Sequence, residues 1–163
     1  TRQGLPTGFV YRQGSFGPFS AELKHAVTQL VNGNLIQEQR VDRMFVVKVG
    51  PRFERIRPEI ESTLAQWAHI IERTTDLFLR IKTDQAEIMA TVMYAADALK
   101  EKRRTPPSEL EVLHAVMQWK QKRRPPLNTS VAASTIRNLG VLRWLDVRPD
   151  RGLPVAEEEF SPA

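Results

Sequence analysis

The sequence has no cysteine, which excludes a disulfide scaffold, a thiolate zinc centre and a catalytic thiol. Its three histidines, His25, His69 and His114, have no histidine partner at HxxxH or HExxH spacing, so the helical zinc motifs are missing too. There is no Gly-x-Ser-x-Gly elbow, no Walker loop and no dinucleotide fingerprint. Gly14 and Gly17 flank Ser15-Phe16, but a third glycine and the strand-to-helix order that would cradle phosphate are lacking, so a turn explains them better. No apolar run approaches the roughly 20 residues of a membrane span, and no secretory-signal pattern appears. These absences point away from an enzyme, a cofactor or a membrane partner, and towards a cytoplasmic protein.

What remains is an ordinary globular composition. Of 163 residues, 41% are hydrophobic and 26% charged, enough for one domain, 1–163, with its own core. The chain opens on Thr1, which reads as a segment of a longer protein. The net charge is +5, and eight basic residues against three acidic ones between Lys100 and Arg124 account for all of it. The cations form two clusters, Lys102-Arg103-Arg104 and Lys120 with Lys122-Arg123-Arg124. Such a patch suits an acidic partner surface or nucleic acid.

Local patterns predict a mainly α fold with short β-hairpins, an α+β helical domain built on winged-helix-like helix-ribbon units. A helix-ribbon unit occupies 1–57 and a helical part, 58–156, ends in a short hairpin. Phe9-Val10-Tyr11 reads as a short strand and Gly17-Pro18 as a rigid turn. Ser20 is placed to N-cap a helix with Glu22 in its first turn and Leu23, Val27, Leu30 and Val31 on one face. Gly33 suits the left-handed position at its end. Leu35-Ile36 and Met44 to Val49 follow as a strand pair turning near Val41-Asp42-Arg43. From Pro58, Ile60, Leu64, Trp67 and Ile71 mark a helix reaching about Thr74.

The next helix, about Asp84 to Glu101, is apolar on most sides and so expected to be central. Thr105-Pro106-Pro107 breaks it. Ser108-x-x-Glu111 is a capping box opening another helix, stopped by Pro125-Pro126. A last helix spans about Thr129 to Leu139, ending at Gly140. Val141 to Val147 and Leu153 to Val155 read as a terminal hairpin. Glu157 to Ala163 reads as a frayed acidic tail.

The two cationic clusters bracket a helix of about 12 to 14 residues and so lie roughly 20 Å apart, too far for one flat phosphate contact. The helix from Ser20 offers a DNA groove only Lys24, His25, Thr28 and Gln29, with Glu22 opposed. DNA binding by a winged helix, with autoregulation of its own operon as one form of it, is therefore the alternative and not the favoured reading. His114 is one turn after Glu111, where a surface ion pair is the plain explanation. Phe16, Phe19, Trp119 and Trp144 are expected in the core, although aromatics of this kind also serve as contact anchors.

Gly8-Phe9-Val10-Tyr11 with Ser15-Phe16-Gly17-Pro18-Phe19-Ser20-Ala21-Glu22-Leu23 resembles the aromatic-x-Tyr-Gly-Pro-aromatic-Ser/Ala-x-x-Leu element of SocA-like antitoxin domains. The likeness is greatest to the C-terminal, toxin-neutralising domain of DarG-like antitoxins. Glu87-Ile88-Met89-Ala90-Thr91-Val92-Met93-Tyr94 is similar to that family's Glu-Leu-Leu-Ala-Thr-Val-His segment. Glu111 to Arg123 is similar to its Val-x-x-Trp-x-x-Arg/Lys helix, and Ile136, Leu139 and Gly140 fit its last helix. Phe16 stands where tyrosine is usual and Met93 where histidine is common, and no helix precedes the Gly-Pro turn.

The resemblance implies a protein partner, a DNA ADP-ribosyltransferase toxin of the DarT kind, bound and blocked by direct contact. It also implies an N-terminal macrodomain in the full-length chain, and no hydrolase activity here. The candidate toxin-binding residues are Tyr11, Arg12, Ser15, Phe16, Phe19 and Lys24. An inhibitor imitating DNA should be acidic, so the expected contact face lies away from Lys100 to Arg124, near the first helix-ribbon unit.

Overall fold

The computed structural model describes residues 6–42 and 44–155, with Met44 described in its backbone alone. The fold is α+β and mainly helical, 55% helix, with six helices and two antiparallel two-stranded sheets among the described residues. It divides into two compact units. The first joins the described residues up to Arg12 to Ser20–Arg80; the second joins Gln13–Phe19 to the chain from Ile81 onward.

The chain enters through a small hairpin, β1 (Arg12–Gly14) and β2 (Gly17–Phe19). Phe9-Val10-Tyr11 forms no strand. The two-residue turn sits at Ser15-Phe16, so pairing begins beside it and Gly17-Pro18 falls inside β2 rather than in the turn. Gly17 has φ +136°, a conformation that only glycine adopts without strain. Pro18, lacking an N–H, is tolerated because a strand of a two-stranded ribbon has an unpaired edge.

In the first unit, α1 (Ala21–Asn32) starts as its sequence requires, with the Ser20 hydroxyl accepting from the Leu23 N–H at 3.1 Å. Its end differs from expectation. Gly33 keeps a right-handed φ of −77° and Asn34 takes the left-handed position, φ 56°. The Asn34 N–H donates to the Val31 carbonyl and the Leu35 N–H to that of Leu30, each at 2.9 Å. This is a Schellman closure with asparagine, the next most tolerant residue after glycine, at the αL site. The ribbon follows, β3 (Ile36–Val41) and β4 (Met44–Val49), in register from Ile36 opposite Val49 to Val41 opposite Met44. Arg43 of the expected turn lies outside the described residues.

The single helix expected from Pro58 is two helices, α2 (Phe53–Ala65) and α3 (Ala68–Leu79). The chain enters α2 five residues early, with Pro58 inside it. The Trp67 N–H then donates to the Leu64 carbonyl at 2.9 Å, a tight turn that ends α2 where the apolar stripe alone suggests continuation. Among the described residues, no apolar side chain of this unit is buried.

The second unit holds the core. α4 (Thr83–Arg103) buries Ile88, Met89, Val92, Ala95 and Ala96, as its all-round apolar character foretells. It packs with α5 (Glu109–Trp119) and α6 (Thr129–Val141), which contribute Val112, Leu113, Val116, Ala132, Ala133, Ile136 and Leu139. The Ser108 box is formed in both directions: the Glu111 N–H to the Ser108 hydroxyl at 3.2 Å, the Ser108 N–H to the Glu111 carboxylate at 2.8 Å.

No terminal hairpin forms among the described residues. α6 runs through Gly140 to Val141 and closes with Arg143 at φ 58°; the Arg143 N–H meets the Gly140 carbonyl and the Trp144 N–H that of Leu139. That left-handed residue breaks the alternation that mimics a strand. Trp144, Leu145 and Leu153 instead plug the core, and the chain touches the start of α5 through one bridge, Ser108 to Arg148. Glu109, 2% exposed, ties this return together, accepting from the Asp150 N–H at 2.8 Å and pairing with Arg137 at 2.8 Å.

Candidate functional site

The β1–β2 hairpin is held from beneath by two neighbouring side chains at the end of α5. The Trp119 indole N–H donates to the Gly14 carbonyl at 3.1 Å and the Lys120 ammonium to the Ser15 carbonyl at 3.2 Å. Both carbonyls are hairpin groups, so each bond fixes the turn without using its side chains. Lys120 is 5% exposed, a depth at which an ammonium needs a counter-ion. It has one in Glu87 on α4 at 2.8 Å, and Arg123 approaches the same carboxylate oxygen at 3.5 Å. The Trp119 ring meets Tyr94 edge-on, with centroids 5.4 Å apart, an arrangement that aromatic quadrupoles favour. Side chains from α4 and from the end of α5 thus converge under one turn.

Above this anchor lies an open cleft of about 650 Å³ lined by the hairpin from Gln13 to Phe16, by Glu87 and Trp119, and by Lys120, Lys122, Arg123 and Arg124. Its rim is cationic. Glu87 is its sole carboxylate and already faces two cations. Phe16 stands at the turn 85% exposed, and Phe19 is 51% exposed, so neither is the core residue expected of it. A two-residue turn has no interior side to bury Phe16 against. Of the two tryptophans expected in the core, Trp144 is buried and Trp119 half-buried.

The structure gathers Ser15, Phe16, Lys120, Lys122, Arg123 and Arg124 into one cleft. The hairpin tip and the second cationic cluster, expected to lie apart, are neighbours, because Trp119 and Lys120 dock the turn at the C-terminal end of α5, which the cluster immediately follows. Phe19 ends the same hairpin. Tyr11, Arg12 and Lys24 belong to the first unit. The other cationic cluster is elsewhere: Lys102 and Arg103 finish α4, Arg103 pairs with Glu111, and Arg104 caps the helix at φ 59°. Glu111 is engaged by Ser108 and Arg103, with Arg148 at 3.8 Å, and among the described residues no ion pair joins it to His114. Its carboxyl is held below the usual carboxylate range, first by the Ser108 N–H and then by Arg103.

Sequence reasoning missed Glu87 and the hairpin-anchoring role of Lys120. The available signal was a lone carboxylate heading the most apolar stretch of α4, one that burial would tolerate only beside a cation. Among the described residues no group of histidine, aspartate and glutamate is arranged to hold a metal, and no helix is long and apolar enough to cross a membrane. No family model, curated protein or solved structure matches this chain.

Proposed function

We propose that this chain is a protein-binding domain that neutralises a DNA ADP-ribosyltransferase toxin of the DarT kind by direct contact, without catalysis of its own. The observation that carries the reading is the convergence of separated motif blocks. The blocks around Phe16, Glu87 and Trp119 are those that resemble DarG-like antitoxin domains, and Glu87, Trp119 and Lys120 meet beneath the Ser15-Phe16 turn. A motif set spread along the chain but spent on one hairpin anchor serves to present that hairpin. What it presents is an exposed phenylalanine beside an arginine-rich rim, and aromatic and arginine side chains are the usual anchors of protein interfaces.

The test is co-expression with a DarT-like toxin encoded beside this chain's gene. Wild-type chain should co-purify with the toxin and restore growth. Phe16→Ala should weaken the complex by about 2 kcal/mol, roughly thirtyfold, while leaving the unfolding midpoint in place, because an exposed side chain contributes little to stability. Absence of a complex with wild-type chain overturns the reading. A steep salt-dependent affinity for duplex DNA would favour the winged-helix alternative instead.

A further inference from the structure

The cationic cleft has a neighbour. A second recess of about 500 Å³ shares Gln13, Trp119 and Lys122 with it and is otherwise lined by Ala115, Gln118 and Gln121. The two recesses differ in chemistry. One concentrates charge on Lys122, Arg123 and Arg124, consecutive in the chain; the other has three carboxamides and no carboxylate. Carboxamides offer a donor and an acceptor side by side, the complement of a nucleobase edge. A cationic recess beside an amide-lined one matches a ligand with a compact anion at one end and a hydrogen-bonding heterocycle at the other. Each recess is within the size range of small-molecule sites.

We propose that the two adjacent recesses together bind a phosphorylated nucleoside, either a free nucleotide or one unit of a single strand. The phosphates lie among Lys122, Arg123 and Arg124 and the base edge meets Gln118 and Gln121. Three consecutive cations suit the dense charge of a diphosphate. They suit an acidic peptide less well, since carboxylates on one face of an extended segment are about 7 Å apart. Glu87 does not oppose the anion strongly, because Lys120 at 2.8 Å already balances it; Arg123, with Nε 3.5 Å from the same oxygen and Nη1 donating to the Pro125 carbonyl, offers the anion its remaining guanidinium nitrogen. Phe16, walling the cationic recess at 85% exposure, offers a following base of a single strand a face to stack on.

This proposal does not rest on the antitoxin reading, and its test uses the chain alone. The 163-residue chain is titrated calorimetrically with pyrophosphate, adenosine diphosphate, a single-stranded oligodeoxyadenylate and an acidic Glu/Phe peptide. The three phosphate probes should bind saturably, and the Lys122→Ala/Arg124→Ala double variant should weaken all of them by about tenfold or more. Both side chains are exposed, so the variant should fold, as circular dichroism will show. Gln118→Ala should weaken adenosine diphosphate about fivefold, the loss of one hydrogen bond, with pyrophosphate unchanged. An oligonucleotide advantage that Phe16→Ala removes identifies a single strand as the source; equal affinity for oligonucleotide and nucleotide identifies the free nucleotide. No saturable phosphate binding at millimolar concentration, equal binding by the cation variant, or a tighter acidic peptide overturns the proposal.

Discussion

Lys120 shows how one residue can have two opposite readings. In the sequence it opens a cationic run after an amphipathic helix, where a helix dipole welcomes positive charge and solvent screens it. In the fold its side chain is 3% exposed and spans from Glu87 to the hairpin. Removing one member of such a pair leaves the other charge poorly solvated, whereas removing both costs far less. Lys120→Met alone should therefore destabilise the second unit by about 3 kcal/mol, and Lys120→Met with Glu87→Gln should recover a large part of that loss. Urea unfolding of the two singles and the double measures the coupling. Strict additivity would show that Arg123 or solvent, and not Lys120, stabilises Glu87.

Side-chain-capped helix starts are where sequence and structure agree most closely, at Ser20 and, most clearly, at Ser108–Glu111. The agreement has a local cause: a cap needs only its own four residues, so the sequence contains the whole interaction. The two Schellman closures share that local geometry, but choosing Asn34 over Gly33 depends on the next residues entering a ribbon, which no single residue encodes. The α5 cap also yields a pH dependence. The Glu111 carboxyl is depressed chiefly by the Ser108 N–H and next by Arg103. Its ionised form is therefore favoured more in the folded state than in the unfolded chain. The resulting stability is present above the unfolded pKa and is lost as pH falls through the folded one. Wild-type chain should be more stable than Glu111→Gln at neutral pH, and the gap should close on acidification below the ordinary glutamate range. Denaturation midpoints of both proteins across a pH series check this; a gap that persists in acid would assign the effect to packing.

Across the whole molecule, α1, the β3–β4 ribbon, α4, α5 and α6 were legible, since amphipathic periodicity and turn residues are short-range signals; the β1–β2 hairpin, the break between α2 and α3 and the irregular return after α6 were not. The division at Arg80 and the convergence of Gln13–Phe16 on Glu87 and Trp119 were not, because they join residues far apart in the chain. The two units differ sharply in burial. Every buried apolar side chain among the described residues belongs to the second, whereas on β4 of the first Phe45, Val47 and Val49 alternate onto one face at 68%, 55% and 62% exposure. Apolar burial is the main favourable term in folding, so resistance to local opening should follow the same division. Native-state amide exchange should show the slowest protons in α4, α5 and α6, exchanging only by global unfolding. Those of α1, α2 and α3 should open at a fraction of that free energy. A partner that covers the first unit would reverse the contrast, raising protection in α1 to α3 while α4 to α6 stay as they were. Equal protection of both units in the isolated chain would mean that exposed apolar surface does not weaken the first unit, and would refute burial as the origin of the difference.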